Sequence, residues 1–289
     1  MVPHFDNREG FIWFNGDFVD WADVKLHVLS HALHYASSVF EGERVYKKKI
    51  FKLNEHTERL FYSANIMDME IPYTMDEVNE ACNSTVKRNN IIDGYVRPIA
   101  WRGAEMMGVS AQNTKINLAV AVWEWPSYFD PEERLKGIRL SLSKWRRPSP
   151  ETIPCDTKAA GLYMICTLSK HDAEKNGYAD SLMLDFEGFV AEATGANVFF
   201  IRDNEIHTPS PDCFLDGITR RTVIELAKMR GLSIIERKIL PDEMADFTEC
   251  FLTGTAVEVT PVSQIGEFDF KPGQITKDLM EDYISLVNS

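Results

Sequence analysis

Asp156-Thr157-Lys158-Ala159-Ala160-Gly161-Leu162-Tyr163 is the stretch from which this chain is read. It sets one lysine beside small residues, just ahead of a helical pattern, with Tyr163 five positions on. A lysine becomes a covalent catalyst when its amine sheds a proton and condenses with a carbonyl. Small neighbours leave room for a flat ring over that amine. A solvated surface lysine could have the same neighbours, so the surrounding segments decide between the two readings.

On the N-terminal side, Trp145-Arg146-Arg147-Pro148-Ser149-Pro150-Glu151-Thr152-Ile153-Pro154 predicts an extended, proline-rich approach, preceded by a strand from Ile138 to Leu142. On the C-terminal side the helix is predicted to end near Asn176, with Gly177 as its C-cap. A strand from Asp180 to Asp185, a turn at Glu187-Gly188 and a return strand from Phe189 to Glu192 follow. Glu192 then sits either deep against a ligand or as a solvated hairpin charge. Val198 to Ile201 is an apolar strand. Leu215-Asp216-Gly217-Ile218-Thr219-Arg220 is a glycine turn entering a helix that ends before Gly231. The first free N–H groups of such a helix form a natural phosphate site. Phe251-Leu252-Thr253-Gly254-Thr255-Ala256-Val257-Glu258 runs from a strand into a second small-residue turn that offers N–H groups and a hydroxyl. The chain closes on a helix with Ile275, Leu279, Tyr283 and Leu286 or Val287 inward.

Further upstream, Phe11 to Val19 predicts two strands around an Asn15-Gly16 turn. In Val39-Phe40-Glu41-Gly42-Glu43-Arg44, period two puts Phe40, Gly42 and Arg44 on one face and Val39, Glu41 and Glu43 on the other. A glycine between an aromatic and an arginine signals a ligand approaching the backbone, or else a bulge or a crowded core. His27, His31 and His34 have a spacing that could bind a metal on a helix, but no acidic or cysteine partner stands at the matching spacing, so no metal is expected. Asn54 is the predicted N-cap of a helix running to Met67, with Leu53, Leu60, Ala64 and Met67 inward. His56, Arg59 and Ser63 share a neighbouring face that meets a phosphate or simply water. Thr74 and Glu77 form a capping-box pattern before a second helix through Val78, Cys82 and Val86. Gly94 to Trp101 is a strand whose period puts Tyr95 and Arg97 on one face, a ready carboxylate receptor. A strand from Ile116 to Val122 ends at a proline-bearing cluster, which places a linker at residues 124–133 between domains of residues 1–123 and 134–289. A shallow α+β domain would precede it and a larger one follow.

The bulk numbers fit that division. With 289 residues, 44% hydrophobic and 26% charged, the chain is globular in type. Its 31 basic and 44 acidic residues give a net charge of −13, which disfavours nucleic acid and polybasic membrane contacts. An anionic ligand must be drawn in by local arginines or helix N-termini. The 5 cysteines are scattered without a Cys-x-x-Cys pair, as expected of a reduced, cytoplasmic chain. The first residues carry no apolar core, so no signal peptide is expected, and no apolar run is long enough to span a bilayer.

Taken in order, Trp13-Phe14-Asn15-Gly16, Ser30-His31-Ala32-Leu33-His34-Tyr35, Val39-Phe40-Glu41-Gly42, His56-Thr57-Glu58-Arg59-Leu60, Tyr95-Val96-Arg97-Pro98, Met107-Gly108-Val109, Thr152-Ile153-Pro154, Lys158 to Tyr163, Gly217-Ile218-Thr219-Arg220 and Gly254 to Glu258 resemble the class IV, fold-type IV pyridoxal-phosphate aminotransferases. Within that family they are most similar to the branched-chain amino-acid aminotransferases. The motifs cover nearly the whole chain, and it is their ordered set that is specific. The resemblance implies a two-domain α+β (mixed α/β) enzyme, with a smaller N-terminal α/β domain and a larger C-terminal domain built on a strongly bent β-sheet or barrel. It implies that Lys158 carries pyridoxal 5′-phosphate covalently, Glu192 contacts the ring nitrogen and Tyr163 the phenolic oxygen. Arg59, Gly217, the N–H groups of Ile218 and Thr219, and Thr255 hold the phosphate. Tyr35, Phe40, Gly42, Arg44, Tyr95, Arg97, Tyr128, Thr255 and Ala256 form the substrate pocket. Met107 and Val109 lie on a loop that reaches a partner's site, so a homodimer is implied.

The implied reaction moves an amino group from leucine, isoleucine or valine to 2-oxoglutarate. A D-amino-acid or (R)-amine transaminase, or a lyase acting on aminodeoxychorismate, would share the same lysine. Five departures bear on substrate preference. Ala36 stands where the family pattern has glycine, Glu43 where it has an aliphatic residue, and Ala196 where it is usually polar. Trp101-Arg102 and Trp123-Glu124-Trp125 are bulky and charged.

Overall fold

The computed structural model describes residues 4–125 and 135–289. Contacts divide the chain into two compact units: Met1–Pro126 with Thr157–Gly161, and Ser127–Asp156 with Leu162–Ser289. The short stretch holding Lys158 therefore packs with the first unit, where a single cut along the sequence assigns it to the second.

The first unit is built on an antiparallel sheet. Strands β1 (Phe11–Phe14) and β2 (Asp17–Asp20) form the expected hairpin. Asn15 and Gly16 both take positive φ, 51° and 104°, as the two-residue turn of a twisted hairpin requires. Strands β3 (Ser38–Phe40), β4 (Glu43–Tyr46), β5 (Lys49–Ile50), β6 (Gly94–Arg102) and β7 (Ile116–Glu124) complete the sheet, in the order β2-β1-β7-β6-β4-β5 with β3 also on β6. β7 continues through Trp123 and Glu124, beyond the predicted end, because Tyr95 and Gly94 of β6 pair with them. Helices α1 (His31–Tyr35), α2 (Leu53–Ile66) and α3 (Met75–Arg88) complete the unit. Thr74 and Glu77 cap α3 reciprocally, and Val78, Cys82 and Val86 are buried as its period predicts.

Helix α2 departs from the prediction. It begins at Leu53, its N-cap is Lys52 in a left-handed conformation, and Asn54 lies inside it, accepting a hydrogen bond from Asn79. Its buried face is more polar than the apolar stripe implies: His56, Thr57 and Ser63 are buried with Leu60 and Ala64. That face meets hydrogen-bonding partners described below.

In the second unit, β8 (Ile138–Arg146) runs parallel to both β9 (Asp180–Leu184) and β15 (Glu258–Ile265). β8 thus extends into the approach that its prolines made appear irregular. β10 (Val190–Ala193), β11 (Asn197–Arg202) and β14 (Glu249–Gly254) continue the sheet, and β10 pairs with both β9 and β11. The ring β10-β9-β8-β15-β14-β11 is therefore closed into a barrel, the expected bent sheet. β12 (Glu205–Thr208) and β13 (Ser233–Glu236) extend it from β11, and β16 (Phe268–Asp269) flanks β15. Leu140, Leu182, Val198, Phe200, Leu252 and Val262 form part of its core.

Helices α4 (Tyr163–Lys175), α5 (Ile218–Met229) and α6 (Gln274–Val287) surround these strands. α4 ends at Asn176, followed by Gly177 at φ 77°. On α6 the inward residues are Leu279, Met280, Tyr283 and Val287, so Val287 rather than Leu286 faces in, and Ile275 is only half-buried. No helix among the described residues is long and apolar enough to cross a membrane.

Candidate active site

In the first unit, Lys158 is fixed by its backbone on both sides. Its N–H donates to Ser63 Oγ of α2 at 3.0 Å, and its carbonyl accepts from the N–H of Phe40 at 3.2 Å. Ala159 forms an isolated antiparallel bridge with Val39. The Lys158 ammonium lies 5.0 Å from the centroid of the Phe40 ring. Burial holds its pKa below the ordinary lysine value, and the positive charges of Arg59 and Arg97 push the same way, against the pull of Glu41. An amine held so gives up its proton more readily than a surface lysine, as a nucleophile or base must.

Glu41 is the residue that the α2 face meets. It is fully buried, and Arg59 grips it in bidentate fashion, Nε to Oε1 at 2.7 Å and Nη2 to Oε2 at 2.9 Å. His56 Nδ1 lies 2.7 Å from the same carboxylate. Burial alone would raise the pKa of Glu41. The charges and hydrogen bonds of Arg59 and His56 overcome it and hold the carboxyl well below the usual range. Burial, with Arg59 and Lys158 nearby, holds His56 below its ordinary value. With Nδ1 facing the carboxylate, the imidazole carries a proton on that nitrogen. Sequence reasoning gave Glu41 no role. Its period-two relation to Val39 placed it on the buried face, and an acid on a buried face was the available signal.

The opposite face carries the substrate candidates. Arg97 lies over the rings of Phe40 and Tyr95, 4.7 Å and 5.4 Å from their centroids. Its Nε is buried and has no hydrogen-bond partner among the described residues. Tyr95 stacks on Trp123 with ring centroids 5.1 Å apart. Gly42 is explained by Tyr95 itself: a Cβ on Gly42 would stand 1.9 Å from the Tyr95 hydroxyl. The close approach to the Gly42 backbone is thus made by a side chain of the same unit. Arg44 pairs in register with Tyr95 and lies over the ring of Tyr46. Trp101 belongs to the core with Ile12, Trp21 and Ala119, and Arg102 is tied to carbonyls of Ala111 and Asp68.

Tyr35, Met107 and Val109 are exposed, Val109 to 86%. They are held near one another by His31, which stacks on Tyr35 and reaches the Gly108 carbonyl at 2.8 Å. His31 also bonds Ser37, His34 bonds the Val28 carbonyl, and His27 accepts from the Leu29 N–H, so this trio is engaged in local contacts. Among the described residues no cluster of His, Cys, Asp and Glu is arranged to hold a metal. Tyr128 lies outside the described residues.

In the second unit, Glu192 is buried on β10 and is no solvated hairpin charge. Arg147 Nε lies 3.4 Å from its Oε1, and Asn197 Nδ2 donates to its Oε2 at 3.3 Å. Asn197 also binds the Leu215 carbonyl and accepts from the Gly217 N–H. One amide thereby ties the Glu192 carboxylate to the turn before α5. Neither Arg147 nor Asn197 was singled out from sequence: Arg147 meets Glu192 far along the chain, and Asn197 joins it to the turn before α5 only in the fold. Gly217 is the N-cap of α5 and supplies no side-chain acceptor to its first turn, where Ile218 and Thr219 are buried. A Cβ on Gly217 would meet Asn197 Oδ1 at 2.3 Å. Tyr163 opens α4, and Thr255 and Ala256 form the turn after β14.

Taken separately, each unit carries groups that fit part of pyridoxal 5′-phosphate. The first unit supplies an enclosed amine and an arginine held in place by a buried acid. The second supplies an uncapped helix N-terminus suited to a phosphate and a buried carboxylate suited to a protonated ring nitrogen.

Comparison with known proteins agrees. The family description Amino-transferase class IV matches residues 38–265. A relative from Rickettsia conorii, named probable branched-chain-amino-acid aminotransferase, is 42% identical over 281 residues, covering 96% of this chain and 95% of the relative. The T.th. branched-chain amino acid aminotransferase, solved with pyridoxamine 5′-phosphate, is 40% identical with a TM-score of 0.94, over 97% of this chain and 95% of that one. The same enzyme complexed with N-(5′-phosphopyridoxyl)-L-glutamate aligns with a TM-score of 0.92, 40% identity and the same coverage.

Proposed function

This chain belongs to the class IV aminotransferases, and on that footing we propose that it transfers the amino group of L-leucine, L-isoleucine or L-valine to 2-oxoglutarate. Branched 2-oxo acids and glutamate are the products. The cofactor is pyridoxal 5′-phosphate, held covalently by Lys158. Arg59, the Ile218 and Thr219 N–H groups following Gly217, and Thr255 hold its phosphate. Glu192 opposes the charge of its ring nitrogen and Tyr163 donates to its phenolic oxygen. Bound there, the group supplies an electron-withdrawing ring that stabilises negative charge on the amino acid's Cα.

The chain's own residues do the rest. Lys158, freed from its bond, takes the proton from Cα and later returns one, so it needs the lowered pKa that burial gives it. Arg147 and Asn197 hold the Glu192 carboxylate in place. Arg97 and Tyr95 receive a carboxylate, with Phe40 and Gly42 lining the apolar part of the pocket and Arg44 beside Tyr95. The second carboxylate of 2-oxoglutarate is the one that most needs Arg97. The exposed residues Tyr35, Met107 and Val109 suit a homodimer in which each copy lends them to the other's site. All 5 cysteines are buried free thiols, which suits a reducing cytoplasm.

The observation that carries this reading is the setting of Lys158: an amine with a lowered pKa, beside Phe40 and within the influence of Glu41, Arg59 and Arg97. The test is the visible absorption of the cofactor-loaded protein on adding L-leucine, D-alanine or an (R)-arylamine separately, without an acceptor. Bleaching by L-leucine alone supports the reading. Bleaching by D-alanine or the (R)-amine instead would replace it with the opposite stereopreference.

A further inference from the structure

Glu43 has no part in the reaction as described, yet it lies inside the first unit. It opens β4, whose four residues are all buried, and it is itself 0% exposed. Neither of its carboxylate oxygens has a hydrogen-bond partner among the described residues. An ion left so would forfeit its hydration with no hydrogen bond in return. Burial pushes its pKa well above the ordinary value, the negative charge of Glu41 adds to this, and Arg59 only partly opposes it.

The neighbours of Glu43 define what its proton controls. It stands two residues from Glu41, on the same face of the strand. From α2, Arg59 and His56 reach that face and bind Glu41. From α3, the buried thiol of Cys82 lies within its influence, pushed up by burial and then by Glu43 itself. From β6 its register partner is the uncharged Val96, while Tyr95 and Arg97 belong to the other face. Glu41 and Arg59 are thus the charged groups facing Glu43, with His56 beyond them on Glu41.

We propose that Glu43 is a positioning residue for Arg59: as a neutral acid it leaves the guanidinium to Glu41 and to the cofactor phosphate, and on losing its proton it becomes a second buried carboxylate that draws Arg59 away. This rests on the reading that Arg59 holds the phosphate. The consequence is that the hold on the cofactor loosens as pH rises.

The test compares the whole chain with Glu43→Gln, which keeps the shape without ionising, and Glu43→Leu, which restores an aliphatic residue. The first readout is thermal midpoint against pH. In the unfolded chain Glu43 ionises near the ordinary value of 4.5, while in the folded one it keeps its proton. Wild type therefore loses stability as pH rises above that value, and the Gln variant does not. The midpoint gap should widen by about 5 °C between about pH 5 and 8. The second readout is the dissociation constant for pyridoxal 5′-phosphate from about pH 7 to 9.5. The ratio of wild type to either variant should rise about tenfold. Parallel midpoint curves would overturn the neutral acid, and a widening gap with a pH-independent affinity ratio would overturn the positioning role. Absence of cofactor binding in all three proteins at every pH would instead overturn the cofactor reading, and this inference with it.

Discussion

The hydroxyl of Tyr95 rests against the backbone of Gly42, so close that a Cβ there would lie 1.9 Å from the oxygen and 2.7 Å from the ring carbon bearing it. On its other side Tyr95 stacks on Trp123, with ring centroids 5.1 Å apart. The substrate face is therefore set by a glycine and a phenol packed together.

Gly42→Ala should destabilise the protein by about 2 kcal/mol through overpacking and lower turnover by shifting Tyr95. Adding Tyr95→Phe should recover only part of the loss, since the ring carbon remains. Denaturant unfolding of the single and double variants is the check, and an unchanged midpoint for Gly42→Ala would contradict the packing described.

Ala36 closes α1 with φ at 52°, a left-handed conformation that costs an alanine what a glycine avoids. Ala36→Gly should stabilise the chain by about 1 kcal/mol. A shift of the thermal midpoint downward would show that the alanine methyl contributes more by packing than the backbone loses.

Arg97 has a buried Nε without a hydrogen-bond partner among the described residues, which an incoming carboxylate would satisfy. Arg97→Ala should reduce kcat/KM for 2-oxoglutarate on the order of 10²-fold, and for leucine by clearly less. Equal losses for both would remove Arg97 from the second-carboxylate role.

Arg147 and Glu192 form a buried pair in the second unit. Arg147→Ala would remove the guanidinium from beside the buried acid and should cost about 3 kcal/mol in unfolding free energy. Combining it with Glu192→Gln should recover much of that stability without recovering activity. A loss too small to measure in the single variant would mean the pair is dispensable.

Glu41 gives a pH signature of opposite sign to that of Glu43. Its folded pKa is depressed, so its stabilisation is complete above the ordinary value of 4.5 and is lost as pH falls below it. The stability gap between wild type and Glu41→Gln should therefore shrink from about pH 6 to pH 3. A constant gap over that range would show that the Arg59 and His56 contacts do not depend on the charge.

Elements written in local patterns are legible in the sequence. The Asn15-Gly16 turn, the Thr74 and Glu77 cap and the alternation of Tyr95 with Arg97 each depend on neighbours a few residues apart, where backbone sterics and hydrogen bonding act directly. The α2 face stays open in the sequence for the converse reason. By period His56, Arg59 and Ser63 share a face that meets a phosphate or water, and only their partners in the fold, Glu41 and the Lys158 N–H, show what they bind.

By itself the sequence determined the family and the order of the motifs, because these reside in residue identities and short spacings. The tertiary structure alone decided which charges meet. Arg59 closes on Glu41, 18 residues before it, and Ser63 accepts from Lys158, 95 residues on. Closure of the second sheet from β10 to β11 brings Asn197 against Glu192. Which buried acids find a hydrogen-bond partner, as Glu41 does, and which find none among the described residues, as with Glu43, follows from packing across the sheet rather than from position along the chain.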